Sequence, residues 1–137
     1  MTPRYRAWHK TWEEMGRIIF IRYKKSGEIF HLSFRRYIYK ENIYGGLVKL
    51  DEIELMQSTG LVDKNGKEIF EGDIVKMSKD VYSEPTYYEV VRHRGGAYRL
   101  ESKQHGCELW LRHTDCEVVG NVYENPELLE DKECTQK

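Results

Sequence analysis

The stretch from residue 51 to residue 77 constrains the fold most, because it alternates short apolar runs with residues typical of turns. A first apolar run at residues 53–57 is followed by Asn65-Gly66, a pair that favours a two-residue hairpin turn with positive φ at both central positions. Gly72 then marks a corner before another apolar run. The stretch therefore predicts a strand, a tight hairpin, a second strand, a corner and a third strand.

Two further hairpins are predicted on either side of this stretch. Residues 17–23 and 28–34 are rich in β-branched and aromatic side chains and flank Lys25-Ser26-Gly27. Residues 87–94 and 97–102 flank Gly95-Gly96 in the same way. Strand pairs joined by short glycine turns thus recur along the chain.

The remaining segments predict shorter elements. Residues 3–8 alternate in polarity and predict an edge strand that starts at a proline. Residues 108–112 and 116–123 predict two more strands. Asn125 has the form of a helix N-cap before Pro126, which predicts a short helical turn. Between these elements, residues 35–47 fit neither the helical nor the strand period, so strand and irregular loop both stay open, and residues 78–85 predict a loop.

Many short strands with one terminal helical turn predict an all-β fold. We expect a small SH3-like β-barrel domain with additional hairpins and a short C-terminal helical turn. At 137 residues, the chain is long enough for one core and too short for two ordinary domains. A single domain over 1–137 is expected, with division into two lobes, 1–50 and 51–131, left open and a frayed tail at 132–137.

The composition limits which cellular environments and which classes of partner are expected. The chain has 22 Lys and Arg against 23 Asp and Glu, so no overall field attracts nucleic acid or an anionic membrane. No apolar run approaches the roughly 20 residues that span a bilayer, and the N-terminus lacks a signal-peptide core. Cys107, Cys116 and Cys134 are too few for a disulfide framework. We expect a cytoplasmic protein without a membrane partner.

Three separated motifs resemble the YopX-like family of bacteriophage and prophage proteins. They are PRYRAW at residues 3–8, LMQSTGL at 55–61 continuing into DKNGKEIFEGDIV at 63–75, and VGNVYENPELL at 119–129. The resemblance implies a small, mostly β, phage-encoded protein acting in the cytoplasm of a bacterial host. It carries over no catalytic residue, because the motifs consist of turn glycines and alternating apolar residues, and no activity is assigned to them.

One group of side chains has the chemistry of a zinc site: His105, Cys107, His113 and Cys116. Their spacings are not those of a zinc finger or knuckle, and residues 109–111 between them look like a core strand. Cys116 is equally well explained as a small buried apolar residue. We therefore assign no metal and no cofactor.

Catalytic patterns are weak. Glu101-x-Lys103 with an upstream Asp would suit a magnesium-dependent nuclease, but such a set arises by chance in a chain that is 33% charged. Asp63-x-Asn65-Gly66 resembles the start of a calcium loop, but the later ligands are missing and a hairpin turn explains it. The chain also lacks nucleophile-elbow and phosphate-loop motifs. We expect a protein that is not an enzyme.

Two clusters interleave arginine with aromatic residues, as nucleic-acid-binding barrels do. The candidate nucleic-acid contacts are Arg35, Arg36, Tyr37, Tyr39, Arg92 and Arg94. Cross-strand aromatic packing covered by arginine stems is the ordinary alternative, and a net charge of −1 favours it.

Ten tyrosines in so small a domain cannot all lie in its core, which predicts a subunit contact and a homo-oligomer. The candidate protein interface comprises Trp8, Trp12, Tyr37 and Tyr39. The sequence thus favours a non-enzymatic, oligomeric protein-interaction module that binds itself or a phage or host protein. The alternative is a weak nucleic-acid binder.

Overall fold

The structure, a computed structural model, describes residues 4–36, 45–78, 82–93, 96–103 and 106–130. The chain divides into two compact units, Met1–Ser58 and Thr59–Lys137. Both consist mainly of antiparallel strands, so the predicted all-β class is confirmed.

The first unit is a sheet of five strands in the order β4-β3-β2-β1-β5. Its elements are β1 (Tyr5–His9), β2 (Glu14–Tyr23), β3 (Ile29–Arg36), β4 (Gly45–Val48), a 3-10 turn (Leu50–Glu52) and the start of β5 (Ile53–Val62). β1 pairs with β2 on one side and β5 on the other, so the prediction of an edge strand is wrong. Polar alternation suggested an edge, but the position of β1 is set by pairing with residues about 50 positions away.

The core of the first unit lies on one face of this sheet and consists of Ala7, Leu32, Phe34, Val48 and Ile53. Gly16 is required for its packing. A Cβ at Gly16 would lie 2.6 Å from the Phe34 ring and 2.5 Å from the Arg35 carbonyl oxygen, closer than any side chain can approach. The aromatic ring of Phe34 therefore packs directly over the backbone of β2.

The second unit contains a five-stranded sheet in the order β10-β9-β8-β7-β11, and β6 lies next to β5. Its elements are β6 (Glu68–Phe70), β7 (Asp73–Ser78), β8 (Pro85–Arg92), β9 (Tyr98–Glu101), β10 (Gly106–Glu108), α1 (Leu109–Arg112), a 3-10 turn (His113–Asp115), β11 (Glu117–Asn121) and a 3-10 turn (Pro126–Leu129). The core residues are Ile69, Val75, Met77, Tyr88, Val90, Leu100, Leu109 and Cys116.

The expected SH3-like barrel is not closed. In the parts of the chain that the structure describes, no strand pairing joins β10 to β11, the two ends of the five-stranded sheet. The chain leaves β10 and turns at once into α1 instead of extending along a further strand. The fold class is therefore all-β with open antiparallel sheets.

The three predicted hairpins form at the predicted places, in loops 24–28, 63–67 and 93–97, and they share one geometry. The first residue donates its N–H to the fifth carbonyl over 2.7–2.8 Å, and the fourth donates to the first carbonyl over 2.9–3.0 Å. The fourth residue is always a glycine with positive φ: Gly27, Gly66 and Gly96. This is a three-residue loop with a left-handed glycine. The predicted two-residue turn is wrong in type, because Asn65 does not have positive φ.

The predicted strand at residues 108–112 is mostly helix α1. Only Leu109 of its three apolar residues is buried, whereas Trp110 is 63% exposed and Leu111 59%. The Arg112 side chain donates to the Ser78 carbonyl over 3.0 Å and fixes the end of the helix. A run of three apolar residues suggested a core strand, but two of the three point to solvent.

The predicted C-terminal turn begins at Pro126, as expected, and is a 3-10 helix. Asn125 does not cap it with its side chain. Instead the Asn125 side-chain oxygen accepts the Asn121 N–H over 3.2 Å. The asparagine thus stabilises the end of β11 and not the helix that follows.

Candidate functional site

The hairpin formed by β2 and β3 concentrates positive charge. Residues 14–36 contain six Lys or Arg against two Glu, a formal charge of +4, whereas the whole chain carries −1. One of the two glutamates, Glu28, lies in the turn, and its Oε2 is 3.8 Å from Lys24 Nζ. The near-neutral composition therefore conceals a local basic surface.

Strand register places the basic side chains on the face of the sheet away from the core. Leu32 and Phe34 are fully buried in the core, so the alternate residues His31, Ser33 and Arg35 lie on the opposite face. The cross-strand partner of His31 is Arg22, which lies on that same face. Arginines from both strands of the hairpin therefore lie on one surface.

Three arginines form a row across the sheet. Arg35 on β3 is directly opposite Arg17 on β2, and Arg17 is directly opposite Arg6 on β1. Arg17 and Arg35 are exposed, whereas Arg6 is buried. Directly opposed side chains have Cβ atoms about 4.5–5.5 Å apart, and like charges at that separation destabilise a sheet. An anion bound between Arg17 and Arg35 would remove this repulsion.

Aromatic side chains accompany the cations. The pairing passes from Ile18–Phe34 to Ile21–Leu32, so β2 carries an extra residue and Phe20 falls in the resulting bulge. Phe20 is 46% exposed, and the Arg22 guanidinium carbon lies 6.0 Å from its ring centroid, within the range of a cation–π contact.

We call this surface the basic face; it comprises Arg17, Phe20, Arg22, His31 and Arg35. Among the described positions of β2, β3 and β4 on this side of the sheet, none is acidic. Glu14 belongs to the opposite side of the sheet. It lies three positions before Arg17 on β2, so its side chain is on the other face, and its cross-strand partner is His9. Uncompensated arginines beside an exposed aromatic ring suit a ligand that combines negative charge with planar rings.

The candidate nucleic-acid residues divide between the two units. Arg35 belongs to the basic face, and Arg92 is an exposed residue at the end of β8 in the second unit. Arg36 ends β3, with its side chain outside the described part. Tyr37, Tyr39 and Arg94 lie outside the described residues. The structure groups Arg35 with Arg17 and Arg22. Sequence reasoning missed Arg22 because the extra residue on β2 brings it to the face of Arg17, five positions earlier, which simple alternation would not do.

The candidate interface residues Trp8 and Trp12 lie at the start of the first unit. Trp8 is half-buried on β1. Trp12 stacks on the buried His9 ring with centroids 3.8 Å apart and planes 9° from parallel, and its backbone N–H donates to His9 Nδ1 over 3.1 Å. This bond needs an unprotonated Nδ1. Trp12 thus has a structural role in the β1–β2 turn, where Glu13 has a positive φ of 52°.

The zinc hypothesis finds no support among the described residues, where no three His, Cys, Asp or Glu side chains are grouped to hold a metal. His113 Nδ1 lies 2.7 Å from the Val62 carbonyl oxygen. Burial raises the pKa of the Cys116 thiol to about 12, and its Sγ lies 3.3 Å from the Arg112 carbonyl oxygen. A protonated, buried thiol is a poor metal ligand. His105 lies outside the described residues.

The side chains considered for a calcium loop and for a magnesium-dependent nuclease have structural partners. The buried carboxylate of Asp63 accepts backbone N–H groups from Asn65, Lys67 and Val118 over 2.8–2.9 Å. Burial opposes its ionisation, but the three donors outweigh burial and lower the pKa of Asp63. The hairpin interpretation of this motif is thereby confirmed. Glu101 is bonded to the guanidinium of Arg99 over 3.1 Å.

No helix in the described ranges is both long and apolar enough to cross a membrane. The fold and the basic face define a small all-β protein whose most distinctive surface is a positively charged hairpin.

The chain belongs to the YopX family, since the family model described as YopX protein matches residues 4–130. This confirms the resemblance found in the sequence motifs. The crystal structure of protein EF1440 from Enterococcus faecalis is 28% identical, with a TM-score of 0.63 over 95% of this chain and 99% of that one. The crystal structure of protein yopX from Bacillus subtilis is 25% identical, with a TM-score of 0.61 over 93% and 98%. No curated protein matches the chain significantly.

Proposed function

We propose that this protein is a non-enzymatic nucleic-acid-binding protein that uses the basic face of the β2–β3 hairpin. The observation that carries the proposal is the direct opposition of Arg17 and Arg35 on an exposed sheet surface where β2, β3 and β4 place no described acidic side chain. In keeping with the family resemblance, the protein would act as a phage-encoded accessory protein in the cytoplasm of a bacterial host.

Arginine suits this role because its planar guanidinium donates two parallel hydrogen bonds to one phosphate and stays charged at all physiological pH values. Each phosphate neutralised on a single strand lowers the slope of log K against log salt by about 0.7, so contacts from Arg17, Arg22 and Arg35 predict a slope of about −2. Binding of that kind is weak at physiological salt. It agrees with a chain whose total charge is −1.

Fluorescence anisotropy with a labelled oligonucleotide, titrated at several salt concentrations, tests the proposal. We expect Arg17→Ala/Arg35→Ala to weaken binding and flatten the salt dependence. Lys64→Ala/Lys76→Ala is the matched control, because it removes two exposed positive charges from the second unit. Absence of salt-sensitive binding by the unaltered protein, or equal losses in the two double variants, would refute the proposal.

A second candidate is a protein-interaction module that self-associates, and the exposed pair Trp110 and Leu111 favours it. The nearby Val62 is also exposed, and His113 bonded to its carbonyl ties the segment after α1 to that strand. Sedimentation velocity would show an oligomer that Trp110→Ser/Leu111→Ser converts to monomer. A monomer at all concentrations would exclude self-association through this surface.

A further inference from the structure

The β2–β3 hairpin contains two register shifts, and each coincides with an exposed phenylalanine. The first shift puts Phe20 in a bulge on β2. The second lies between the pairs Arg22–His31 and Tyr23–Ile29, so Phe30 is the extra residue on β3. Phe20 is 46% exposed and Phe30 45%. Both large rings thus remain accessible to a ligand.

Each of these rings also has a cation beside it. The Arg22 guanidinium carbon is 6.0 Å from the Phe20 centroid, and Lys24 Nζ is 6.0 Å from the Phe30 centroid. Phe30 is further supported by the His31 ring, whose centroid is 4.1 Å away in an edge-on arrangement. The hairpin therefore presents two separate pairs of an aromatic ring and a positive charge.

A flat aromatic ring beside a cation matches the two parts of a nucleotide, since a base stacks on the ring and a phosphate meets the charge. Bases within a duplex are stacked on each other and offer only their edges in the grooves. Unpaired bases can leave the stack and pack on protein rings. Accessible phenylalanines therefore discriminate between single strands and duplexes, whereas arginines alone do not.

We infer that the basic face binds single-stranded nucleic acid, with bases stacked on Phe20 and on Phe30, which contacts His31 of that face, and with phosphates held by Arg17, Arg22 and Arg35. This inference rests on the proposed function and names its ligand class. Sequence preference is expected to be low, because every base has a stacking face.

The test compares four variants in the same anisotropy assay against three ligands: an unpaired oligonucleotide of about 12 nucleotides, the duplex of the same sequence and inorganic polyphosphate. Phe20→Leu and Phe30→Leu keep an apolar side chain but remove the ring. Arg17→Ala/Arg35→Ala removes two of the three phosphate contacts. Tyr82→Leu is the matched control, since it removes an exposed aromatic ring from the second unit. Thermal melting of each variant checks that the fold is kept.

We expect the unaltered protein to prefer the single strand, and each Phe→Leu change to weaken that binding roughly 5-fold to 100-fold, the size of one lost base–aromatic stack. Tyr82→Leu should leave it unchanged. A fifth variant, Phe20→Trp, should retain affinity and show added fluorescence quenching with the single strand but not with polyphosphate.

Equal affinity for single strand and duplex, with Phe→Leu changes that have no effect while the arginine changes weaken binding, would overturn the inference and leave the proposed function standing. If the arginine variant keeps both its affinity and its salt dependence, the inference and the proposed function are both overturned. If Tyr82→Leu weakens single-strand binding as much as Phe20→Leu, the site is not on this hairpin and the inference fails.

Discussion

Replacing Asp63 by asparagine should destabilise the second unit more than its position in a hairpin turn suggests. Asp63 is only 4% exposed. Its Oδ1 accepts the N–H groups of Asn65 and Lys67, and its Oδ2 accepts the N–H of Val118, 55 residues away. One carboxylate therefore shapes the turn between β5 and β6 and also attaches it to β11.

The expected size of the effect follows from which bond is lost. Asparagine keeps one carbonyl oxygen for the two turn donors, but its amide nitrogen cannot accept from Val118. A hydrogen bond to a charged group contributes about 1.5–3 kcal/mol, and leaving its buried partner unsatisfied costs a similar amount. We expect Asp63→Asn to reduce the free energy of unfolding by about 2–3 kcal/mol, and Asp63→Ala by about 3–5 kcal/mol because all three donors lose their acceptor.

The effect should depend on pH in a defined direction. The folded-state pKa of Asp63 lies below its unfolded value, so the stabilisation by the carboxylate is fully present above the unfolded pKa and is lost as pH falls through the folded pKa. The difference in stability between Asp63→Asn and the unaltered protein should therefore be largest near neutral pH and shrink below about pH 4.

Urea denaturation followed by circular dichroism, at neutral and at acidic pH, measures both quantities. Asp115→Asn is the control, since Asp115 is an exposed residue whose carboxylate pairs with Arg112 over 2.9 Å, and it should cost less than about 1 kcal/mol. Equal losses at the two positions, or a loss at Asp63 that does not change with pH, would refute the reasoning.

Three further outcomes are expected. Gly66→Ala should lower the free energy of unfolding by about 1 kcal/mol or more, because φ at this position is 81°; an unchanged melting temperature would mean that the turn is placed wrongly. Gly16→Ala should cost roughly 1–3 kcal/mol, because its Cβ would meet the Phe34 ring, and a normal denaturation midpoint would contradict that packing. In thiol titration at mildly alkaline pH, Cys116 should react far more slowly than Cys107, because burial raises its pKa to about 12 and raises that of Cys107 less; equal rates would contradict the burial of Cys116.

Local signals predicted the three hairpins well. Each turn has a glycine as its fourth residue, and a left-handed position that favours glycine can be recognised in five residues of sequence. The type of the central turn could not be predicted in the same way. Asp63 fixes it by accepting two turn amides, and its carboxylate is itself held by Val118 on a distant strand.

Predictions from the periodicity of apolar residues were wrong where apolar side chains are exposed. The apolar residues Trp110 and Leu111 predicted a core strand, but they lie exposed on α1. The position of β1 inside its sheet was also missed, because one of its two neighbours, β5, pairs with it over a long sequence distance. The local pattern of polar and apolar residues encodes neither of these two features.

The basic face was likewise predictable only in part from the local sequence. Sequence identified Arg35 as a cation among aromatics, but Arg17 and Arg22 joined it only through the register of β2 and β3. The extra residue on β2 brings Arg22 to the same face as Arg17, which simple alternation would not do, whereas the extra residues on β2 and β3 offset each other at the Arg17–Arg35 pair. The extra residues also leave Phe20 and Phe30 exposed.

The sequence by itself determined the all-β class, the family and the places where the chain turns, because short-range backbone preferences and separated motifs encode all three. Only the tertiary structure decided which strands are neighbours and which charges share a surface. Cross-strand pairing sets those relations, and a one-residue bulge changes which side chains lie opposite each other. The bulge on β2 brings Arg22 to the face that Arg17 and Arg35 share, and that grouping emerges only when the sheet is assembled.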